Sequence, residues 1–141
     1  MSEENRIYVV VAETVQNKLN GQSTVQVCGR NMAQAAHVVS KMQVARCLNA
    51  SEGYDTKDGH LIPCTTIVLA ARDSAEMQHI KVLLSKSVYA LTTFEDRNPE
   101  VYGSEEEILA AICTDPTTAE SMIGILDYLP LWLHGRNCAG N

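Results

Sequence analysis

The sequence predicts a single α/β domain built on a small β-sheet covered by helices, and three observations carry that prediction. Two short runs read as buried strands: Ile7–Ala12, which is β-branched and apolar on both faces as in a strand covered by helices on each side, and Thr65–Ala70. Segments with apolar residues at helical spacing alternate with them. The chain of 141 residues is 45% hydrophobic and 20% charged, enough for one self-sufficient core and little more.

In chain order, Ile7–Ala12 is the first strand. Residues 13–30 are polar, turn at Asn20-Gly21 and read as a long loop. Met32–Leu48 reads as a helix with an apolar stripe of Met32, Ala35, Ala36, Val39 and Met42. Residues 49–63 are loop-like, with Gly53, Asp58-Gly59 and Pro63. After the strand Thr65–Ala70, Ser74 caps a helix to about Ser85 whose inward side is Met77, Ile80, Val82, Leu83 and Leu84. Ser87–Phe94 is a third strand, broken by Asp96-Arg97-Asn98-Pro99.

The next segment has two readings. Ser104-x-x-Glu107 resembles a helix capping box, whereas Ile108–Cys113 is a continuous apolar run suited to a buried strand. Asp115 as N-cap and Pro116 at the first helical position predict a helix to about Tyr128. Leu129–Leu133 then closes the core. The domain spans residues 1–141, with a folded core over about 6–133 and a loose tail over 134–141.

Composition excludes several function classes. The net charge of −6 disfavours a broad, sequence-blind grip on nucleic acid, which needs clustered Lys and Arg. The five cysteines, at 28, 47, 64, 113 and 138, include no C-x-x-C pair, and the four histidines have no ligand spacing. The expectation is a cytoplasmic protein with reduced thiols and no metal or cofactor. No apolar run is long enough to cross a bilayer, so no membrane partner is expected.

Chemistry concentrates in Gly29-Arg30-Asn31-Met32-Ala33-Gln34-Ala35-Ala36-His37. If the helix begins near Arg30, then Arg30, Gln34 and His37 lie at i, i+4 and i+7 on one face, which Lys41 extends. A helix start with an arginine beside it favours an anion. His37 is the member of the ridge able to trade a proton near neutral pH. Two structural readings stand beside this one. Asn31 at the N-cap with Gln34 three residues on makes a capping-box variant, and Asp96 beside Asn98-Pro99 is a turn former.

The same segment resembles the signature of the type II peptidyl-tRNA hydrolases: a glycine and a lysine, small residues, then glutamine and histidine on the first helix. The order of elements resembles that family from about Arg6 to Leu133. The resemblance implies a four-stranded mixed sheet flanked by helices, with Ile108–Thr114 as the last strand. It implies metal-free cleavage of the ester between a peptide and the 3′ ribose of tRNA, a tRNA 3′ end as partner, and a homodimer. Gly29, Gln34 and His37 match the signature. Arg30 stands where the family has lysine, keeping the charge but not the compact ammonium. Asp96 is the nearest counterpart of an aspartate in an Asp-Ala-Gly-Arg-Thr run, whose glycine and threonine are missing here.

On this reading the base is His37, or Asp96 acting through a water. Gln34 positions substrate or water. Arg30, with Gly29, Asn31 and Lys41 beside it, holds a phosphate or the oxyanion. Arg6, Lys18, Arg30 and Lys41 make a local basic patch for one tRNA end. The alternative is a non-catalytic or repurposed member of the same fold that binds a small ligand or a protein partner.

Overall fold

Strand β1 (Asn5–Ala12) is the spine of the domain, and its sequence explains its place. Ile7, Val9, Val10 and Val11 have no exposed surface, and alternate side chains enter opposite layers. Each such side chain contributes about 1.5–3 kcal/mol of burial. The computed structural model describes residues 5–26, 28–50, 65–86 and 91–132. The expected first four residues of the third strand, most of the 49–63 loop and the 134–141 tail lie outside them.

The predicted loop after β1 is instead a β-hairpin. β2 (Thr14–Gln16) and β3 (Ser23–Val25) pair antiparallel, with Val15 opposite Thr24. Its turn is where Asn20-Gly21 predicts it, with Gly21 at φ +72°. The Asn17 side chain accepts from the backbone N–H groups of Leu19 and Asn20. The hairpin strands are mostly exposed and polar, so periodicity gives no sign of them.

Helix α1 (Cys28–Ala50) starts two residues before Arg30. Its inward face is Asn31, Gln34, Ala35, Val38, Val39 and Met42, one residue out of phase with the predicted stripe at its first turn. Met32 is 52% exposed, because the buried slot there belongs to Asn31. That also rules out Asn31 as an N-cap, since it is already inside the helix.

Strand β4 (Thr65–Ala71) runs parallel to β1, with Val9 opposite Val68. Helix α2 (Ser74–Ser85) is capped by Asp73, whose side chain accepts from Glu76 N–H, rather than by Ser74. It buries Met77, Ile80 and Leu84, but leaves Val82 exposed. Strand β5 (Leu91–Asp96) extends two residues beyond the expected end, so Asp96 is a strand residue opposite Ile108 rather than part of the break. One turn of helix, α3 (Pro99–Tyr102), follows. Asn98 caps it, Pro99 opens it and Gly103 closes it at φ +66°.

Strand β6 (Ile108–Thr114) resolves the two-way reading in favour of a strand. It is antiparallel to both β1 and β5, giving the sheet order β4-β1-β6-β5. A bulge leaves Ala110 without an opposite residue on β5. Consequently Leu109 faces the α2 layer and Ala111 the α1 layer, although two residues apart they would normally share a face. The helix predicted over Asp115–Tyr128 does not form. Thr117–Thr118 make a short strand, β7, on Asn5–Arg6, and a 3-10 turn covers Glu120–Met122. Tight turns then run to Leu129, with Gly124 at φ +80°. Leu129 is buried, and Leu131 and Trp132 reach the outer edge of β4 through Leu69 and Val68.

The result is three layers: α1, the sheet, and α2 with residues 122–129. No helix among the described residues is long and apolar enough to cross a membrane. Because β4, β1 and β5 share one direction, their carboxyl ends Ala71, Ala12 and Asp96 lie along one edge of the sheet.

Candidate active site

At that edge the ridge of α1 meets β5. Arg30 Nη2 donates to Asp96 Oδ2 at 2.7 Å, and Gln34 Nε2 donates to the same oxygen at 3.0 Å. The i, i+4 spacing aims both side chains at one carboxylate. Asp96 is there because Phe94 and Asp96, two residues apart, share the α1 face of β5. Farther along the ridge, the His37 ring stacks on Phe94 with centroids 4.8 Å apart, and Lys41 Nζ donates to the Thr93 carbonyl at 2.8 Å. The predicted ridge therefore tracks β5 residue by residue.

Two further members come from segments that carried no site prediction. Tyr102 donates its hydroxyl hydrogen to Asp96 Oδ2 at 3.0 Å and accepts from Arg30 Nη2 at 3.3 Å. Its ring lies under the guanidinium, 5.5 Å from Cζ to centroid. Burial, chiefly, pushes the Tyr102 phenol above its ordinary range, and the Asp96 charge acts in the same direction, against the lowering effect of Arg30. Gln26 leaves β3 and accepts from Arg30 Nε at 2.9 Å. Its own Nε2 donates to Asn31 Oδ1 at 2.5 Å. The backbone bond from Gln26 N to the Glu13 carbonyl clamps the neck of the hairpin and fixes Gln26 in place.

An arginine suits position 30 for a physical reason. A guanidinium carries five N–H donors in a fixed fork, and here it meets three acceptors, Gln26, Asp96 and Tyr102. An ammonium has no such fork. Arg30 and Asp96 are each only 22% exposed at the side chain, so the pair is well shielded from water. Two atoms remain open for chemistry. Asp96 Oδ1 and Arg30 Nη1 have no hydrogen-bond partner among the described residues, and neither is sealed from solvent.

The remaining predicted residues are placed as follows. Gly29 is exposed in the first turn of α1, with open space where a Cβ would stand. Asn31 is fully buried and serves Gln26. His37 is exposed and stacks on Phe94, two residues before Asp96 on β5. The four-residue basic patch does not assemble. Arg6 lies at the far end of β1, roughly 20 Å from Ala12. Lys18 is paired with Glu106, and Arg30 with Asp96.

Signals for the missed pair existed. Asn98-Pro99 followed by Gly103 is the start-and-stop pattern of a short helix, which would have singled out Tyr102 as its last residue. Gln26 had only its position four residues before Arg30. Both also line a cavity of about 40 Å³ beneath the hairpin, whose apolar walls include Ala12, Val15, Leu109 and Ala110. A second cleft of about 430 Å³, lined by Glu13, Arg72, Glu76, Tyr128 and Leu129, contains none of the predicted residues. In comparison with known proteins, the chain matches no protein-family model and no curated protein.

Proposed function

We propose that the domain is a peptidyl-tRNA hydrolase-like esterase with a peptidyl-tRNA hydrolase II-like fold, cleaving the ester between a peptide and the 3′ ribose of tRNA. The observation that carries this reading is the convergence of Arg30 and Gln34 on Asp96 Oδ2, positions taken from the family resemblance, with Asp96 66 and 62 residues from the other two along the chain. In the proposed reaction, Asp96 Oδ1 takes a proton from a water as that water attacks the ester carbonyl. The charge that develops on the carbonyl oxygen falls to Arg30 Nη1 and the free N–H groups of the first turn of α1 near Gly29. The tetrahedral intermediate then collapses. The C–O bond to the ribose breaks, and the proton held by Asp96 passes to the leaving 3′ oxygen. Three donors on Oδ2 hold the carboxylate in one orientation throughout. His37, exposed on Phe94, forms the wall on the leaving-group side, with Lys41 beyond it.

A cytoplasmic setting, a tRNA 3′ end as partner and a homodimeric assembly belong to the same proposal. The second reading, a non-catalytic member of the fold that binds a small ligand or protein, draws support from the engagement of Arg30 with acceptors of its own chain.

Release of peptide from a peptidyl-tRNA mimic separates the two. The esterase reading expects turnover by the wild type and a fall of about 10²–10⁴-fold in Asp96→Asn. It expects about a tenfold fall in Arg30→Lys, which keeps the charge and loses the fork. Wild-type protein without turnover at any salt concentration would leave the binding reading in its place.

A further inference from the structure

The cluster contains a run of hydrogen bonds whose direction is fixed at both ends. Arg30 can only donate, so the group facing its Nε must be Gln26 Oε1. That forces Gln26 Nε2 towards Asn31, and hence Asn31 Oδ1 towards Gln26. At the other end, Asp96 in its ion pair with Arg30 is an acceptor, so Gln34 must present Nε2 to it. Neither amide of α1 can be turned over without setting donor against donor or acceptor against acceptor. The leftover atoms are then determined: Asn31 Nδ2, a donor, and Gln34 Oε1, an acceptor.

Among the described residues neither leftover atom has a hydrogen-bond partner, and both are buried, on residues that are 0% and 4% exposed. They stand three residues apart on one face of α1, where side chains are neighbours. A single group that accepts from Asn31 and donates to Gln34 would join them. The run would then pass unbroken from Arg30 through Gln26, Asn31, the joining group and Gln34 to Asp96. Each bond in such a chain polarises the next. An orphaned buried donor or acceptor forfeits its hydration with nothing in return, so the pair is a strong place to recruit a partner.

We propose that Asn31 and Gln34 form a binding site for a hydroxyl oxygen, which closes the hydrogen-bond path from Arg30 to Asp96. A hydroxyl is the simplest group that accepts and donates at one atom. Its source is either an internal water or a sugar hydroxyl of a bound nucleoside. Because the two atoms are shut off from bulk solvent, a water there exchanges slowly, and a sugar hydroxyl reaches them only by displacing the side chains that cover them. The inference needs only the cluster, and it stands whether or not the ester is the substrate.

Two measurements on the wild-type protein test it. A high-resolution crystal structure of the ligand-free protein is expected to place a water oxygen within about 3.2 Å of both Asn31 Nδ2 and Gln34 Oε1. If the source is a sugar, adenosine at millimolar concentration shifts the side-chain amide resonances of Asn31 and Gln34, and 2′,3′-dideoxyadenosine does not. Asn31→Asp retains an acceptor for Gln26 and removes the donor, so it abolishes the bridging density or the adenosine shift. A direct bond between Asn31 Nδ2 and Gln34 Oε1, or an empty gap, together with amides unmoved by both nucleosides, would overturn the proposal. Either result is independent of any hydrolysis assay.

Discussion

On the α2 side of the sheet the packed residues are hydrocarbon from end to end, from Tyr8 and Leu69 through Met77, Ile80 and Leu84 to Leu129. On the α1 side the same kind of packing runs from Ile7 and Met42 as far as Phe94, and then stops. Beyond Phe94 the layer continues with Gln26, Asn31, Gln34 and Asp96, side chains that are buried or largely so and satisfied mainly by one another. One layer draws its stability from area removed from water. The other gives up packing for a polar arrangement that holds only while its members stay paired. A fold that needed nothing but stability would have continued the hydrocarbon, and the proposed site falls at this polar end of the α1 layer.

The contrast can be broken most severely on the apolar side. Ile80→Ala removes a fully buried side chain from the α2 layer and is expected to cost about 2–5 kcal/mol in denaturant unfolding, with the cluster geometry intact. Next comes Arg30→Met, expected to cost about 1.5–3 kcal/mol because Asp96 and Gln26 lose their charged donor. Adding Asp96→Leu should recover most of that loss. A double-mutant cycle showing simple additivity would instead reduce the pair to an ordinary surface contact.

The smallest effect sharpens the comparison through pH. The Tyr102 phenol is raised above its unfolded value, so the folded state holds that proton more tightly. Its contribution is fully present below about pH 10, where the unfolded phenol titrates, and is lost as pH rises through the higher folded pKa. Tyr102→Phe is expected to cost about 1 kcal/mol at pH 7 and to flatten the alkaline part of the stability curve. Tyrosinate absorbance in the wild type should show one phenol titrating later than in the variant.

What the sequence made legible follows from which interactions are local. Arg30 and Gln34 were readable because their alignment needs only the pitch of a helix. β1 and β4 were readable because short runs rich in β-branched residues favour buried strands. The inward stripe of α1 was misphased because stripe reading assumes inward means apolar, and Asn31 and Gln34 violate that at the site. Gln26 and Tyr102 were hidden because each acquires its role from a partner distant in the fold. Local signals also misled when tertiary pairing outweighed them. Asp115-Pro116 is a sound helix start, but Thr117–Thr118 pair with β1 instead. Ser104 does accept a backbone N–H as a cap would, from Glu106, without any helix following.

The unmatched residue at Ala110 in β6 sets a phase as well as a bend. Upstream of it Leu109 belongs with Ile112, and downstream Ala111 belongs with Cys113. Excising that one alanine would leave Leu109 opposite Glu95 in a regular ladder, still facing the aliphatic layer; forcing the alanine into the ladder would instead turn the opening of the strand inside out, sending Leu109 towards the charged cluster and Ile108 towards the aliphatic layer. The bulge thus takes up one surplus step of chain, so that a single strand still serves a greasy interior on one flank and a polar chamber on the other.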